Sequence, residues 1–425
     1  MADTTKWAWS VDPASKQAIL SVATSGGPPQ SIRMKGVCYS PSPLNGSNAY
    51  APAIGDWFWD SFDGVTGWDA LWARDLSVIT GYLNANAIRV YCMLSRQLEP
   101  NGDYPDPWNS GQLFSHQNFL DACWNNGIDP LYVLVGIPLP APMFWKDQYQ
   151  TTPQVEITYW TNVLGETAQM LGQHPAVLGF TIQNEQDGAD VCYKQPALAD
   201  FWWGQVENMA KIVKDAAPDK LVGMATHDNP DIPFKAASYM AQCPSIDFWG
   251  VNTYQTENFN SIFDGGLDIG TGYNGVTGSA LKPVLLTEWG FPATGHTNPN
   301  DASTIYEDQE TRANTANVIG PMLPQAFQHP LCIGLYYFEF CDEWWNEPLS
   351  PNIYTWWGGK SASGFPNGYW DQDGFGLYSI RRGGTLQNND PIWENNGPNM
   401  PIDVHTERSE LTSKLIGTYR TISRR

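Results

Sequence analysis

Basic side chains are scarce. Lys and Arg together number 23 against 44 Asp and Glu, so the 425-residue chain carries a formal charge of −21. Phosphate backbones and anionic lipid surfaces would be repelled by such a chain, so neither nucleic acid nor membrane is an expected partner. Cysteine is sparse and scattered as well. Cys38, Cys92, Cys123, Cys192, Cys243, Cys332 and Cys341 include no C-x-x-C pair and sum to an odd number, so buried thiols rather than a disulfide framework are expected. The six histidines form no i,i+4 pair and no zinc spacing, and the DQDG run from Asp371 to Gly374 falls out of register with the later ligands of a calcium loop. No metal is expected on those grounds. No Gly-rich nucleotide fingerprint follows the first strand and no nucleophile-elbow serine is paired with a histidine, so no cofactor is expected either. The start, MADTTKWAWS, lacks a basic segment leading into an apolar one, and no run elsewhere approaches the length of a membrane span. A soluble protein is expected, cytoplasmic or secreted with its signal already removed, of undetermined oligomeric state.

Aromatic residues, by contrast, are abundant: 20 Trp, 19 Tyr and 17 Phe make 13% of the chain. Rings with polar edges suit the C–H faces of sugars, and they suit a Trp-rich core equally well.

Eight short β-rich runs alternate with longer amphipathic ones. The runs are Ile32–Tyr39, Ala87–Met93, Ile128–Gly136, Ala176–Asn184, Leu221–His227, Ile246–Tyr254, Pro283–Trp289 and Cys332–Phe340. Several are apolar almost throughout, as strands covered on both faces must be, and strand–helix alternation implies a parallel sheet. Helical spacing predicts helices through Trp68–Leu83, Gln112–Asn125, Pro153–Gly172, Pro196–Asp215, Ser303–Gln328 with a break near Gly320-Pro321, and Glu407–Thr421. Eight such units favour a closed α/β (β/α)8 TIM barrel over an open doubly wound sheet. Residues 1–30 are expected to pack on the barrel as a small extension. Residues 31–425 form the barrel domain, with an aromatic, Gly/Asn/Pro-rich insertion at about 344–401.

A barrel builds its active site at the carboxyl ends of its strands. Glu185 closes the fourth run and Glu288 the seventh, each where an apolar stretch stops. A lone glutamate there would be read as a salt-bridge partner. Two at matching ends are the equipment for glycoside hydrolysis, in which one protonates the leaving oxygen while the other attacks or activates water.

These residues resemble the clan of retaining glycosidases that share a (β/α)8 barrel and carry the acid/base on strand four and the nucleophile on strand seven. Asn184-Glu185 matches its Asn-Glu, and Thr287-Glu288-Trp289-Gly290 its Glu-Trp-Gly. Arg89 in AIRVY and Tyr254 in WGVNTY match the arginine and tyrosine that hold the nucleophile in that clan. KGVCYSPSP, WGVNTY and YYFEFCDEWWNE are most similar to glycoside hydrolase families 5, 2 and 72, over roughly Gly36 to Trp345. The resemblance implies Glu288 as nucleophile, Glu185 as acid/base, Asn184 on the 2-hydroxyl, and carboxyl groups about 5–5.5 Å apart. It implies an oligo- or polysaccharide substrate and an endo-β-glucanase or related hydrolase. A β-glucan transglycosylase and a non-catalytic carbohydrate-binding barrel are the alternatives.

Further residues are candidates by position. Tyr39 ends the first run and could line the site or pack. His227 and Asp228 could bind sugar hydroxyls or merely open a polar loop. After the eighth run Trp344 is the expected aromatic platform and Glu343 a second contact, with Trp356, Trp357 and Trp370 as further stacking candidates or a small satellite core, and Trp289, beside Glu288, as a substrate-binding or supporting residue.

Overall fold

The computed structural model describes residues 3–41, 58, 61–62, 65–66, 68–95, 116–188, 191–265, 271–298, 304–343, 360–379, 393–394, 402–403 and 405–422. Eight strands close into a barrel: Met34–Cys38, Ala87–Val90, Tyr132–Gly136, Val177–Asn184, Leu221–Thr226, Phe248–Asn252, Val284–Trp289 and Cys332–Tyr337. They are called strands one to eight below. Each pairs in parallel with its sequence neighbour, and strand eight returns to strand one through Gly334 against Met34. Every residue in them is buried except Asn184 at the end of strand four, which is why the runs read as continuously apolar. Strand three starts at Tyr132 rather than Ile128: Ile128 is 65% exposed and Asp129 has φ 46°, so the chain turns there before it enters the sheet.

The longer helices Gln117–Trp124, Gln154–Leu171, Pro196–Ala216 and Gln309–Ala326 follow strands two, three, four and seven, whereas strands five and six are followed by short turns of helix such as Asp231–Lys235 and Asn260–Phe263. The helix Trp68–Ser77 after strand one runs on as a π-helix over Val78–Tyr82. The expected break at Gly320-Pro321 does not occur. Pro321 and Pro324 both lie inside Gln309–Ala326, each removing a backbone donor at a cost of about 3 kcal/mol in an ordinary helix. A stripe of Ala316, Ile319, Met322, Leu323 and Ala326 buried against the barrel holds the helix through them. The helix begins at Asp308, whose carboxylate accepts from Thr311 N at 2.9 Å while Thr311 Oγ1 accepts from Asp308 N at 3.0 Å.

Thr5–Val11, Ala18–Thr24 and Gln30–Ile32 form a three-stranded antiparallel sheet. Its Thr5 hydroxyl donates to Pro175 O, Trp7 N to Asp219 O, Trp9 Nε1 to Asp247 and Ala18 N to Pro330 O. Each of those partners precedes a barrel strand, so the sheet lies across the end of the barrel opposite the strands' carboxyl termini. Along the wall, the last helix, Ser409–Thr421, is fastened to strand one: Lys35 Nζ donates to Tyr419 O at 3.0 Å and Tyr419 Oη to Gly36 O at 2.6 Å. Arg408, just before that helix, is wholly buried and pairs through both its terminal nitrogens with Glu307 and Asp342, at 2.8 Å to Glu307 and 2.6 and 2.9 Å to Asp342. It thereby clamps the chain leaving strand eight.

Candidate active site

At the carboxyl ends of the strands opens a cleft of about 710 Å³, lined by Tyr91, Asn184, Glu185, His227, Asp228, Asn252, Tyr254, Glu288, Phe338, Glu343, Trp370 and Gln372. Polar groups reach it because each strand's apolar run stops at the barrel rim.

Glu288 is held by three donors. Arg89 Nη1 and Tyr91 Oη donate to Oε1 at 2.8 and 2.7 Å, and Tyr254 Oη donates to Oε2 at 2.7 Å. Only 5% of Glu288 is exposed, so these donors stand in for the water an anion would otherwise need. Gly290, two residues on, lets strand seven come close to strand eight: a Cβ there would lie 1.8 Å from Phe338 O.

Asn252, at the end of strand six, ties the two glutamates into one network. Its Oδ1 accepts from Arg89 Nη1 at 3.0 Å and from Thr287 Oγ1 at 2.8 Å. Its Nδ2 donates to Glu185 Oε1 at 3.0 Å and to Asn184 Oδ1 at 2.9 Å. Asn184 Oδ1 also receives Arg89 Nη2 at 2.7 Å, which fixes the orientation of its amide.

Glu185 has φ 56°, a left-handed conformation costly for a side chain of this kind. The consequence is local: the strand's alternation breaks, and Asn184 and Glu185, though adjacent, both line the cleft. Burial, and then the charge of Glu288, push the Glu185 carboxyl up to about 7 from 4.5. His227 Nε2 stands 3.3 Å from Glu185 Oε2, while Asp187 accepts from His227 N at 3.0 Å and faces its Nδ1 at 3.2 Å. The Asp187 contact leads the causes that raise the imidazole's pKa. Asp228 keeps Oδ2 on Gln255, Thr253 and Tyr254 N, and burial raises its carboxyl.

Two candidates do not reach the cleft. Tyr39 is fully buried and donates to Asp75 at 3.0 Å with its ring against Phe340, because strand one points it outward between barrel and helix. Trp289 is likewise fully buried, donating to Gln255 O at 3.0 Å and packing on Phe259, Phe291 and Tyr337. Glu343 lines the cleft and hydrogen-bonds the buried Glu339. Trp344, Trp356 and Trp357 lie outside the described residues. Trp370 is in the lining, its ring 4.6 Å from that of Tyr254, and the next residue, Asp371, is anchored by Thr294 at 2.6 Å and His296 at 2.9 Å.

Tyr91 and Asn252, which line the cleft and hydrogen-bond Glu288 and Glu185 respectively, are residues that sequence reasoning missed. Tyr91 stands two residues beyond Arg89, hence on the same side of the strand, and that period-two signal could have found it. Asn252 likewise stands two before Tyr254. Among the described residues no group of three or more His, Cys, Asp or Glu could hold a metal, and no helix is long and apolar enough to cross a membrane.

No family model matches the chain, and no curated protein does. Solved structures do. A GH2 β-galacturonidase from Eisenbergiella tayi bound to glycerol aligns over 99% of this chain and 54% of its own, at 14% identity and a TM-score of 0.54. The same enzyme bound to galacturonate aligns with a TM-score of 0.52 at 15% identity, covering 99% of this chain and 54% of that one. A β-D-glucuronidase from Dictyoglomus thermophilum covers 98% and 54% at 12% identity, with a TM-score of 0.51. The chain thus spans about half the length of these structures, and the likeness is one of fold: a closed (β/α)8 barrel.

Proposed function

We propose that the chain is a retaining β-glycoside hydrolase working by double displacement. The observation that carries this reading is the contrast between two carboxyl groups joined through Asn252: Glu288 is met by three donors, while Glu185 is raised to about 7. The first environment suits a nucleophile that must be anionic, the second an acid that must hold a proton at neutral pH. Glu288 attacks the anomeric carbon as the glycosidic C–O bond breaks and Glu185 gives its proton to the leaving oxygen. Glu185, now ionised, takes a proton from water, whose oxygen attacks the same carbon and frees Glu288. In this reading Asn184 takes the 2-hydroxyl and Trp370, which lines the cleft, takes the face of a sugar ring. An internal bond of a β-glucan or related polysaccharide is the proposed substrate.

The test is a panel of β-glucans, mannans, xylans and chitosan, given to the wild type and to Glu288→Ala, with products and anomeric configuration followed by NMR. Retention of configuration and a loss of orders of magnitude in the variant are expected. Inversion, or equal rates from both proteins, would refute the assignment. Products longer than the substrate would mark a transglycosylase.

A further inference from the structure

Strands four and five run in parallel with Asn184 level with Ala225, and Glu185 N donates to Ala225 O at 2.7 Å. Two residues beyond Ala225, His227 therefore comes up beside the turn that carries Glu185 and Asp187. That turn is fixed in place: Gln186 O accepts from Trp145 Nε1 at 2.7 Å and from Trp202 Nε1 at 3.2 Å, and Gln186 N donates to Gln183 Oε1 at 2.9 Å. With Glu185 at φ 56°, Glu185 and Asp187 both face the same imidazole.

They meet different nitrogens of it. Asp187, its side chain 1% exposed, accepts through Oδ1 from His227 N at 3.0 Å and stands 3.2 Å from Nδ1. A carboxylate only accepts, so the neutral ring carries its proton on Nδ1 and presents a lone pair at Nε2. Nε2 lies 3.3 Å from Glu185 Oε2, while Glu185 Oε1 accepts from Asn252 Nδ2 at 3.0 Å. A donor at Oε1 and an acceptor beside Oε2 assign the acid's proton to Oε2. Among the described residues, the other titratable groups around the pair are Glu288, with Arg89 on its Oε1, Asp228, which turns Oδ2 to Gln255 and Thr253, and the phenol of Tyr273 near Asp187. Burial, Glu288 and Asp187 favour a proton on Glu185; Asp187 and Glu185 favour one on His227; a cationic His227 favours ionised Glu185.

We propose that Asp187 and His227 are a positioning pair for the acid/base: Asp187 fixes the imidazole tautomer, and His227 Nε2 draws the proton of Glu185 to Oε2, the oxygen from which it passes to the leaving group. This rests on the reading of Glu185 as the acid. One proton is shared across the contact. On Oε2 it is ready for the leaving oxygen; on Nε2 it leaves an ionised Glu185 beside an imidazolium. In the second half-reaction Oε2 takes a proton from water as the water oxygen attacks, which restores the starting state.

NMR of protein carrying isotope-labelled histidine reads the tautomer without any substrate, the His227 signal being the one lost in His227→Leu. Neutral His227 is expected to bear its proton on Nδ1. Glu185→Gln should lower the pH at which the ring is protonated, and His227→Leu should raise the pH at which the Glu185 carboxyl titrates, since one coupling acts in both directions. Asp187→Asn should lower the ring's midpoint and release its tautomer, with thermal melts to verify that each variant folds. On the polysaccharide of the panel that the wild type cleaves, His227→Leu should lower kcat roughly tenfold with KM little changed. A neutral ring protonated on Nε2, a His227 midpoint unmoved by Glu185→Gln, or an unchanged kcat overturns the proposal. If the NMR results are as expected while the wild type cleaves nothing, the hydrolase reading fails and the shared proton stands.

Discussion

Tyr91 and Tyr254 grip opposite oxygens of one carboxylate, each donating its hydroxyl to Glu288 at 2.7 Å. A hydrogen bond to a charged group is worth about 1.5–3 kcal/mol, and each 1.4 kcal/mol is about a factor of ten. Tyr91→Phe and Tyr254→Phe should therefore each lower kcat roughly ten- to hundredfold. Steady-state kinetics on the best substrate decide it: an unchanged kcat in Tyr91→Phe would remove Glu288 from the role of nucleophile.

Glu185 must be protonated to act as the acid, and its carboxyl titrates at about 7. The alkaline limb of kcat/KM should fall as pH rises through that value. Asn252 donates to Glu185 and favours its ionised form. Asn252→Ala should accordingly move the limb to higher pH while slowing the reaction at every pH. A pH–rate profile that keeps its limb in place would detach Glu185 from the acid's role.

The same shift has a consequence for stability. Because the folded carboxyl holds its proton more tightly than the unfolded one at 4.5, its contribution is fully present below pH 4.5 and is lost as pH rises through about 7. Glu185→Gln, uncharged throughout, should melt a few degrees above wild type at pH 8 and level with it at pH 4. Scanning calorimetry at the two values reads the difference, and the inactive variant should be the more stable one.

Tyr39 belongs to the core, bonded to Asp75 rather than facing the cleft. Tyr39→Phe should cost about 1 kcal/mol in urea unfolding and leave kcat/KM at the wild-type value. Asp75 retains its 2.6 Å contact with Arg74 in that variant, which keeps the loss small. A fall in kcat/KM without a fall in stability would return Tyr39 to the site.

The barrel was legible because strands covered on both faces must be apolar: eight β-rich runs could be counted in the sequence, and several of them were apolar almost throughout. Their ends were less so, since exposure at Ile128 depends on a turn that composition does not mark. Glu185 and Glu288 could be found because polarity begins abruptly beside them. Of their neighbours, Asn184 was expected at the site and lines the cleft with Glu185, whose φ of 56° lets two adjacent residues do so, whereas Trp289, also expected there, turns away beside Glu288. The two prolines of Gln309–Ala326 misled for a related reason: local propensity argues for a break, and burial against the barrel overrides it.

Arg408 holds Asp342 and Glu307 together and also donates to Gly376 O at 2.6 Å. For anyone wishing to graft a new specificity onto this barrel, that guanidinium marks fixed posts. An exchange of sequence near it must keep Glu307, Asp342, Gly376 and Arg408 in place, because a graft that replaces one of these acids would leave the buried guanidinium short of its partner and loosen the chain leaving strand eight.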